Sequence, residues 1–373
     1  MPGRFLAGFR VLDLSQYIPG PYAAQVLADL GAEVIKVEPP AGDPMRNFEL
    51  PDSDGLGPCY KLLNAGKTVI KLDLKTADGQ AAVTRMLAKA DVLVESYRPG
   101  TLGRLGLSRA RLEEINPRLV HVAISGWGQG GPYRLRAGHD VTYAAVGGGL
   151  AISGTPETPV LISPPMADYA GAQQAIMAVL AGLVGRERSG KGSFLDVSLM
   201  ETVLGWQGVP LTMAARGQSL VRGESLITGG AAWYRIYKTA DGRFVAFAPI
   251  ETKFWQTFCG AVNRPDWLAR HGEPLPQTGL IEEISALFAS QPLQYWQDLL
   301  DPVDCCFEAI LDPGEVINHP HVVARGQVVH HGGAEPLVET LLGLRVDGGT
   351  PPHRKPVREA EAAEVLAGWG LAG

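Results

Sequence analysis

The sequence predicts an α/β protein: a parallel sheet covered by helices on both faces, followed by a second, smaller α+β domain. Three observations carry this. Short apolar runs alternate with helical periodicity from Phe9 to Ser125, the pattern of successive strand–helix–strand units. A hairpin signal opens a new pattern near Trp233. The chain has 373 residues, enough for two domains with sizeable cores.

Phe9–Leu14 has the length and β-branched content of a strand and runs into the Pro- and Gly-rich Ser15–Pro21. Tyr22–Leu30 carries apolar residues at helical spacing, with Gly31 where a C-terminal glycine belongs. Val34–Val37 is the next strand, which completes a βαβ unit. Ala41–Tyr60 is a long polar connection of the kind that carries function. Thr68–Leu74 alternates like a strand, Asp78–Ala90 is helical, and Asp91–Glu95 and Leu119–Ser125 are further strands. The layout is that of a Rossmann fold, but the first turn lacks G-x-G-x-x-G, so Glu38 is no ribose ligand of a nicotinamide dinucleotide. Gly126–Gly131 is a flexible turn and not a Walker loop. Ala170–Val184 is a helix stopped near Gly185–Gly192, Phe194–Val197 a strand, and Leu199–Trp206 the start of another helix.

Residues 208–230 read as a linker. Trp233–Tyr237 and Arg243–Ala248 flank Ala240-Asp241-Gly242, a hairpin with turn residues at its tip. Phe254–Gly260, Ile281–Ser290 and Leu293–Leu299 read as helices, and Ala360–Ala367 as a final one. The expected division is a large domain over residues 1–207, completed by 313–373, and a small domain over 231–312.

The net charge of −6 disfavours nucleic acid or an anionic membrane as the main partner. Cys59, Cys259, Cys305 and Cys306 form no C-x-x-C or zinc pattern, and the vicinal pair reads as two buried thiols in a reducing compartment. No signal-peptide core opens the chain, and the apolar run at Ala175–Val184 is too short to span a bilayer. A cytoplasmic location is expected. His121, His271, His319, His321, His330, His331 and His353 carry no metal-ligand spacing.

Ligands on parallel sheets bind beyond the carboxyl ends of the strands. Lys67, Lys75, Arg98 and Arg104 fall in or near those turns, as a solvated basic surface or as a set that could hold a phosphorylated ligand. Gly138–Tyr169 brings His139, Asp140 and Asp168 into a short span at the mouth of a helix. On position alone Asp168 suits an N-cap, and the same geometry offers unpaired N–H groups to an enolate or oxyanion. His139 suits either a surface position or proton transfer near neutral pH. Glu251, at a strand end in the second domain, gains interest if it meets His139, because a carboxylate fixes the tautomer of an imidazole.

Several stretches resemble the family III coenzyme A transferases, the CaiB/BaiF superfamily. They are the N-terminal G-F-R-V-L-D-L-S-Q-Y-I-P-G-P-Y run through V-I-K-V-E-P-P, then E-S-Y-R-P-G-T-L-G-R-L-G-L and I-S-G-W-G-Q-G-G-P. S-G-K-G-S-F-L-D-V-S-L-M, Y-K-T-A-D-G-R-F-V-A-F-A-P-I-E and G-E-V-I-N-H-P-H extend the likeness over nearly the whole chain. The resemblance implies two interlocked chains, an active site between the large domain of one and the small domain of the other, and an acyl-CoA thioester as ligand. It implies neither metal nor separate cofactor, since coenzyme A is part of the substrate, and a place in lipid metabolism. Asp168 matches the aspartate that transferases use as nucleophile and racemases use as base. His139 in G-H-D-V-T-Y and Glu251 in A-P-I-E-T-K-F-W are similar to the α-methylacyl-CoA racemase pattern. The reading is therefore a racemase of 2-methyl-branched acyl-CoA, with His139, Asp168, Glu251 and Asp140 catalytic; the alternative is a CoA transferase working through an Asp168 acyl-enzyme. The family pattern for coenzyme A maps onto Leu72, Asp73, Leu74, Lys75, Ser96, Tyr97, Arg98, Arg104, Gly138, Val141, Thr142 and Tyr143. Pro39 stands where the racemases carry an arginine, and Arg46 is a possible substitute.

Overall fold

The computed structural model describes residues 4–218 and 220–371. Residues 1–3, 372 and 373 of the expected large domain, and Ser219 of the expected linker, lie outside the described residues. The chain forms two compact units. The first comprises Met1–Gly147, Ser163–Trp206 and Pro320–Gly373, the second Gly148–Ile162 and Gln207–His319.

The first unit opens with β1 (Arg10–Leu14), α1 (Pro19–Asp29), β2 (Glu33–Glu38), α2 (Pro58–Asn64), β3 (Thr68–Lys71), α3 (Ala77–Leu87) and β4 (Val92–Glu95). It continues with α4 (Thr101–Arg104), α5 (Arg109–Ile115), β5 (Val120–Ser125), α6 (Asp140–Val146), α7 (Met166–Ser189), β6 (Ser193–Ser198) and α8 (Leu199–Gly205). The second unit holds α9 (Gly208–Ala215), β7 (Arg235–Lys238), β8 (Phe244–Phe247), α10 (Thr252–Ala261), α11 (Thr278–Phe288), α12 (Leu293–Leu300), β9 (Phe307–Ala309) and α13 (Pro313–Val316). The chain then re-enters the first unit with α14 (Pro320–Arg325), β10 (Val328–His331), β11 (Leu337–Thr340), β12 (Arg358–Glu359) and α15 (Ala362–Gly368).

Seven strands make one parallel sheet in the order β12-β3-β2-β1-β4-β5-β6. Every residue of β4 is buried, as expected of a strand covered on both faces. α1 starts on Pro19 and Pro21, where a missing N–H costs nothing. It stops at Gly31, whose φ of 103° supplies the left-handed turn into β2. β1 lies between β2 and β4, so the order reverses at the β1/β4 boundary, the place where open sheets of this type leave a crevice for ligand.

Beside this aliphatic core the first unit buries charge. Lys67 Nζ meets Asp13 Oδ2 at 2.9 Å, Pro21 O at 2.8 Å and Asn64 Oδ1 at 3.0 Å. Lys36 Nζ meets Asp43 Oδ2 at 2.8 Å and Ser15 O at 2.7 Å. Burial works to raise the Asp13 pKa, but Lys67 and Lys36 outweigh it and hold the carboxyl below its ordinary value. These bonds fix the β1–α1 turn and the first part of the 39–60 connection.

Several expectations change. The strand at Thr68 ends at Lys71, because Asp73 Oδ1 accepts from Lys75 N at 3.0 Å and Thr76 caps α3, so Leu72–Lys75 is a turn. The helix expected over Ala170–Val184 runs from Met166 to Ser189. The 208–230 segment, read as an irregular linker, contains α9, and Gly148–Ile162 departs from the first unit to join the second. Cys305 is buried but Cys306 is half-buried, and all four thiols are free.

The second unit is organised around an antiparallel sheet, β7-β8-β9. Its expected hairpin forms, with Gly242 at φ 81° and Asp241 accepting from Thr239 Oγ1 at 2.5 Å. Its core is aromatic: Phe288 lies 5.3 Å from Tyr237, 6.1 Å from Phe258 and 5.0 Å from Trp296, centroid to centroid.

Candidate active site

α7 begins without a side-chain cap. Pro165 stands at the cap position and Asp168 in the first turn, third along the helix, so Asp168 is not the N-cap that its position suggests. The N–H of Asp168 is one of the orphan donors of a helix start, and Asp140 Oδ1 accepts it at 3.0 Å. That bond ties the start of α6 to the start of α7 and brings two carboxylates together. Asp168 is half-buried. Burial first, and then the charge of Asp140, push its pKa up to about 7. A carboxyl that changes state near neutrality can give or take a proton at little cost.

His139 is the residue before Asp140 and caps α6 in an extended conformation, φ −135° and ψ 171°. Its ring is exposed. Its backbone is held from both sides: the N–H donates to Thr142 Oγ1 at 3.0 Å, and the same hydroxyl donates to His139 O at 2.7 Å. Tyr143 OH donates to Gly138 O at 2.5 Å. Val141 is exposed on the same turn. The Tyr143 pKa is raised by burial and by Asp168, while Arg98 pulls the other way, so Tyr143 stands near both.

The carboxyl edge of the sheet carries the other predicted contacts. At the β1/β4 boundary Leu14 pairs with Glu95, and just beyond it Gln16 N donates to Ser96 Oγ at 2.9 Å. Glu95 Oε2 accepts from Tyr97 N at 2.7 Å, which sets the turn that presents Arg98. Lys75 and Arg98 are exposed, and among the described residues neither has an ion-pair partner. Arg104 Nη2 donates to Thr101 Oγ1 at 2.8 Å. Leu74 is a core residue packed with Ile70, Val83 and Leu102, while Leu72 and Tyr97 lie against that core. Asp73 shapes the turn through its own carboxylate.

Two basic residues are not available to a ligand. Lys67 is sealed beneath the β1–α1 turn with Asp13, and its fully buried ammonium cannot meet a phosphate. Arg46 does not replace the arginine missing at Pro39: its Nε sits 2.6 Å from Glu38 Oε2 and its Nη1 2.6 Å from Glu359 Oε1, with the guanidinium over the Tyr60 ring. Glu251 caps α10 in the second unit with an exposed side chain. Residue reasoning passed over Trp127 and Gly126. The signal was the aromatic inside G-W-G-Q-G-G, read only as a flexible turn.

The sheet of the first unit carries exposed cations at its carboxyl edge and a carboxyl poised near neutrality beside a histidine turn, an arrangement suited to an enzyme. The chain belongs to CoA-transferase family III, whose model matches residues 6–357. It is 31% identical to human alpha-methylacyl-CoA racemase, over 87% of this chain and 82% of that one. It is 34% identical to succinyl-CoA–D-citramalate CoA-transferase of Chloroflexus aurantiacus, over 88% of this chain and 84% of that one. Its fold matches the crystal structure of a CaiB/BaiF family protein from Brucella suis at a TM-score of 0.83, with 27% identity and 98% and 99% of the two chains covered. Among the described residues no helix is long and apolar enough to cross a membrane.

Proposed function

We propose that the chain is a racemase that inverts the α-carbon of 2-methyl-branched acyl-CoA thioesters. The observation that carries this reading is His139 at the start of α6, next to Asp140, whose carboxylate accepts from the N–H of Asp168, a carboxyl pushed up to about 7. Inversion removes a proton from one face of the α-carbon and returns one to the other. One group cannot serve both faces, so His139 handles one and Asp168 the other, exchanging roles with direction. The enolate between the two steps gathers charge on the thioester oxygen, and the N–H groups at the start of α7 are suited to it. The Asp168 N–H is taken by Asp140, which leaves those of Met166 and Ala167. Lys75 and Arg98 suit the phosphates of coenzyme A, and Gly138–Tyr143 the thioester end. Glu251 of the partner subunit orients the imidazole of His139.

A homodimer is part of this proposal. α9 is apolar but for Thr212 and buries none of its residues, with Val209 67% and Leu211 51% exposed. On α7, Met177 and Val184 are likewise exposed. Apolar faces of this extent call for a cover, and a second copy of the chain provides it.

The test is one epimer of a 2-methylacyl-CoA in deuterated water. Loss of chirality with α-deuteration and no acceptor acid is expected. His139→Ala and Asp168→Ala each lower the rate by about 10³. CoA exchange onto an added carboxylate without α-deuteration, abolished only by the Asp168 change, would establish the transferase reading instead.

A further inference from the structure

We infer that Trp127 and Tyr143 form an aromatic clamp that sets the position of the His139–Asp140 pair, which makes them positioning residues for the proton transfer; the catalytic consequence rests on the racemase reading. The segment entering α6 runs from Arg136 to His139 and has little packing of its own: Arg136, Ala137 and His139 are exposed. Two side chains hold its backbone. Trp127 Nε1 donates to Arg136 O at 3.1 Å, and Tyr143 OH donates to Gly138 O at 2.5 Å. The two rings meet edge to face at 5.0 Å, so the carbonyls on either side of Ala137 are gripped by one rigid pair.

The clamp is closed on both sides. Tyr133 also packs on Trp127 edge to face at 5.3 Å, and the Arg136 guanidinium covers Tyr133 at 4.5 Å. Toward α6, only glycine fits against the Tyr143 ring. A Cβ on Gly126 would lie inside it, and one on Gly138 would fall 2.5 Å from its Cε1 and 2.7 Å from Thr142 Oγ1. The output of the clamp is visible at Asp140, whose carboxylate arrives 3.0 Å from the Asp168 N–H. Tyr143 therefore acts through the backbone before His139, to which its hydroxyl donates a hydrogen bond.

Geometry of this kind matters because small misplacements of a proton-transfer group cost rate steeply. The experiment uses the full-length protein with Tyr143→Phe and Trp127→Phe, each of which keeps a ring and deletes one hydrogen bond, and with Gly126→Ala, which evicts the Tyr143 ring. Steady-state α-proton exchange, thermal stability, and the rate of His139 carbethoxylation mapped by mass spectrometry are measured together. Each ring variant is expected to lose about tenfold in kcat, with KM and Tm little changed, and His139 is expected to react several times faster. Unchanged kcat and unchanged His139 reactivity in Tyr143→Phe would overturn the clamp. So would a raised KM with kcat preserved, which would make Tyr143 a ligand contact. If the wild-type protein shows no α-deuteration at all, the racemase reading fails by itself, and His139 reactivity still decides the clamp.

Discussion

Asp13, Lys36, Glu38, Asp43 and Lys67 of the first unit are sealed under the carboxyl edge of its sheet, whereas Arg264, Arg270 and Glu283 of the second unit ring an aromatic core from outside. Among the described residues the second unit buries no charged side chain. The difference follows from what each core must do. An aromatic cluster excludes water by area, and its polar tips find neutral backbone acceptors, as when Trp255 Nε1 donates to Trp267 O and Trp296 Nε1 to Phe288 O, so it needs no buried charge to hold its shape. The turns after β1 and β2 are Pro- and Gly-rich and bury little apolar area, yet they border the ligand crevice and must keep one shape. Paired charges with fixed geometry supply that where packing cannot, at the cost of desolvation.

The sharpest way to break this comparison is to remove one charge and one ring. Lys67→Met removes the ammonium paired with the buried Asp13 carboxylate and is expected to cost about 3–5 kcal/mol. Phe288→Ala empties the centre of the second core and is expected to cost about as much, 3–5 kcal/mol. Urea denaturation measures both. The two losses differ in how they are repaired. Asp13→Leu added to Lys67→Met restores most of the stability, because removing both members of a buried pair leaves no orphan charge. No single polar change restores Phe288→Ala. A Lys67→Met variant as stable as the wild type would show that the buried charges are incidental.

Asp168 sharpens the comparison from the functional side, since it is a partly buried carboxyl in the first unit without a counter-charge. Its pKa is about 7 in the folded chain, raised by burial and then by Asp140, against an ordinary value of 3.8. The unfolded chain therefore releases this proton first as pH rises. Stability associated with the protonated form is complete below about pH 4, falls between there and about 7, and stays lost above that. Asp168→Asn mimics the protonated form at every pH. It should match wild-type Tm at pH 4 and exceed it by about 2–4 °C at pH 8. A variant less stable than the wild type at pH 8 would rule out a strained carboxylate.

The same contrast explains what could be read from the residues. The strands of the first unit were legible because apolar runs such as Val92–Val94 and Val120–Ile124 leave few alternatives, and Gly31 marks a helix end by its backbone alone. The hairpin of the second unit was legible from Asp241-Gly242. The short helices at Pro58–Asn64 and Arg109–Ile115 span too few turns for their period to stand out. The burial of Lys67 was hidden because a lysine in a Gly-Lys-Thr run looks solvated, and its partner Asp13 is 54 positions away. Asp140 and Asp168 are 28 positions apart, with Gly148–Ile162 departing to the other unit between them, so no periodicity links the two. Their nearness in one short stretch was read from the residues, their roles from resemblance, and the bond that joins them from the coordinates.

Glu283 gives the mildest test, on the rim of the second unit. It accepts from Trp267 Nε1 at 2.9 Å, Arg270 Nη1 at 2.6 Å and Arg264 Nη2 at 2.8 Å. Those bonds, Trp267 first, hold its pKa down to about 2. The carboxylate is partly exposed to solvent, so the three contacts are screened and Glu283→Gln is expected to cost no more than about 1 kcal/mol at pH 7. The sign is opposite to that of Asp168. A depressed pKa contributes stability above the ordinary glutamate value of about 4.3, and that contribution disappears as pH falls toward about 2. Wild type and Glu283→Gln should therefore converge in Tm as pH falls from about 4.3 toward 2, whereas Asp168→Asn and wild type converge earlier, between about pH 7 and 4, and from the other direction. A loss at pH 7 as large as that of Lys67→Met would mean that rim charges hold the second unit as firmly as buried ones hold the first, and the contrast between the units would not stand.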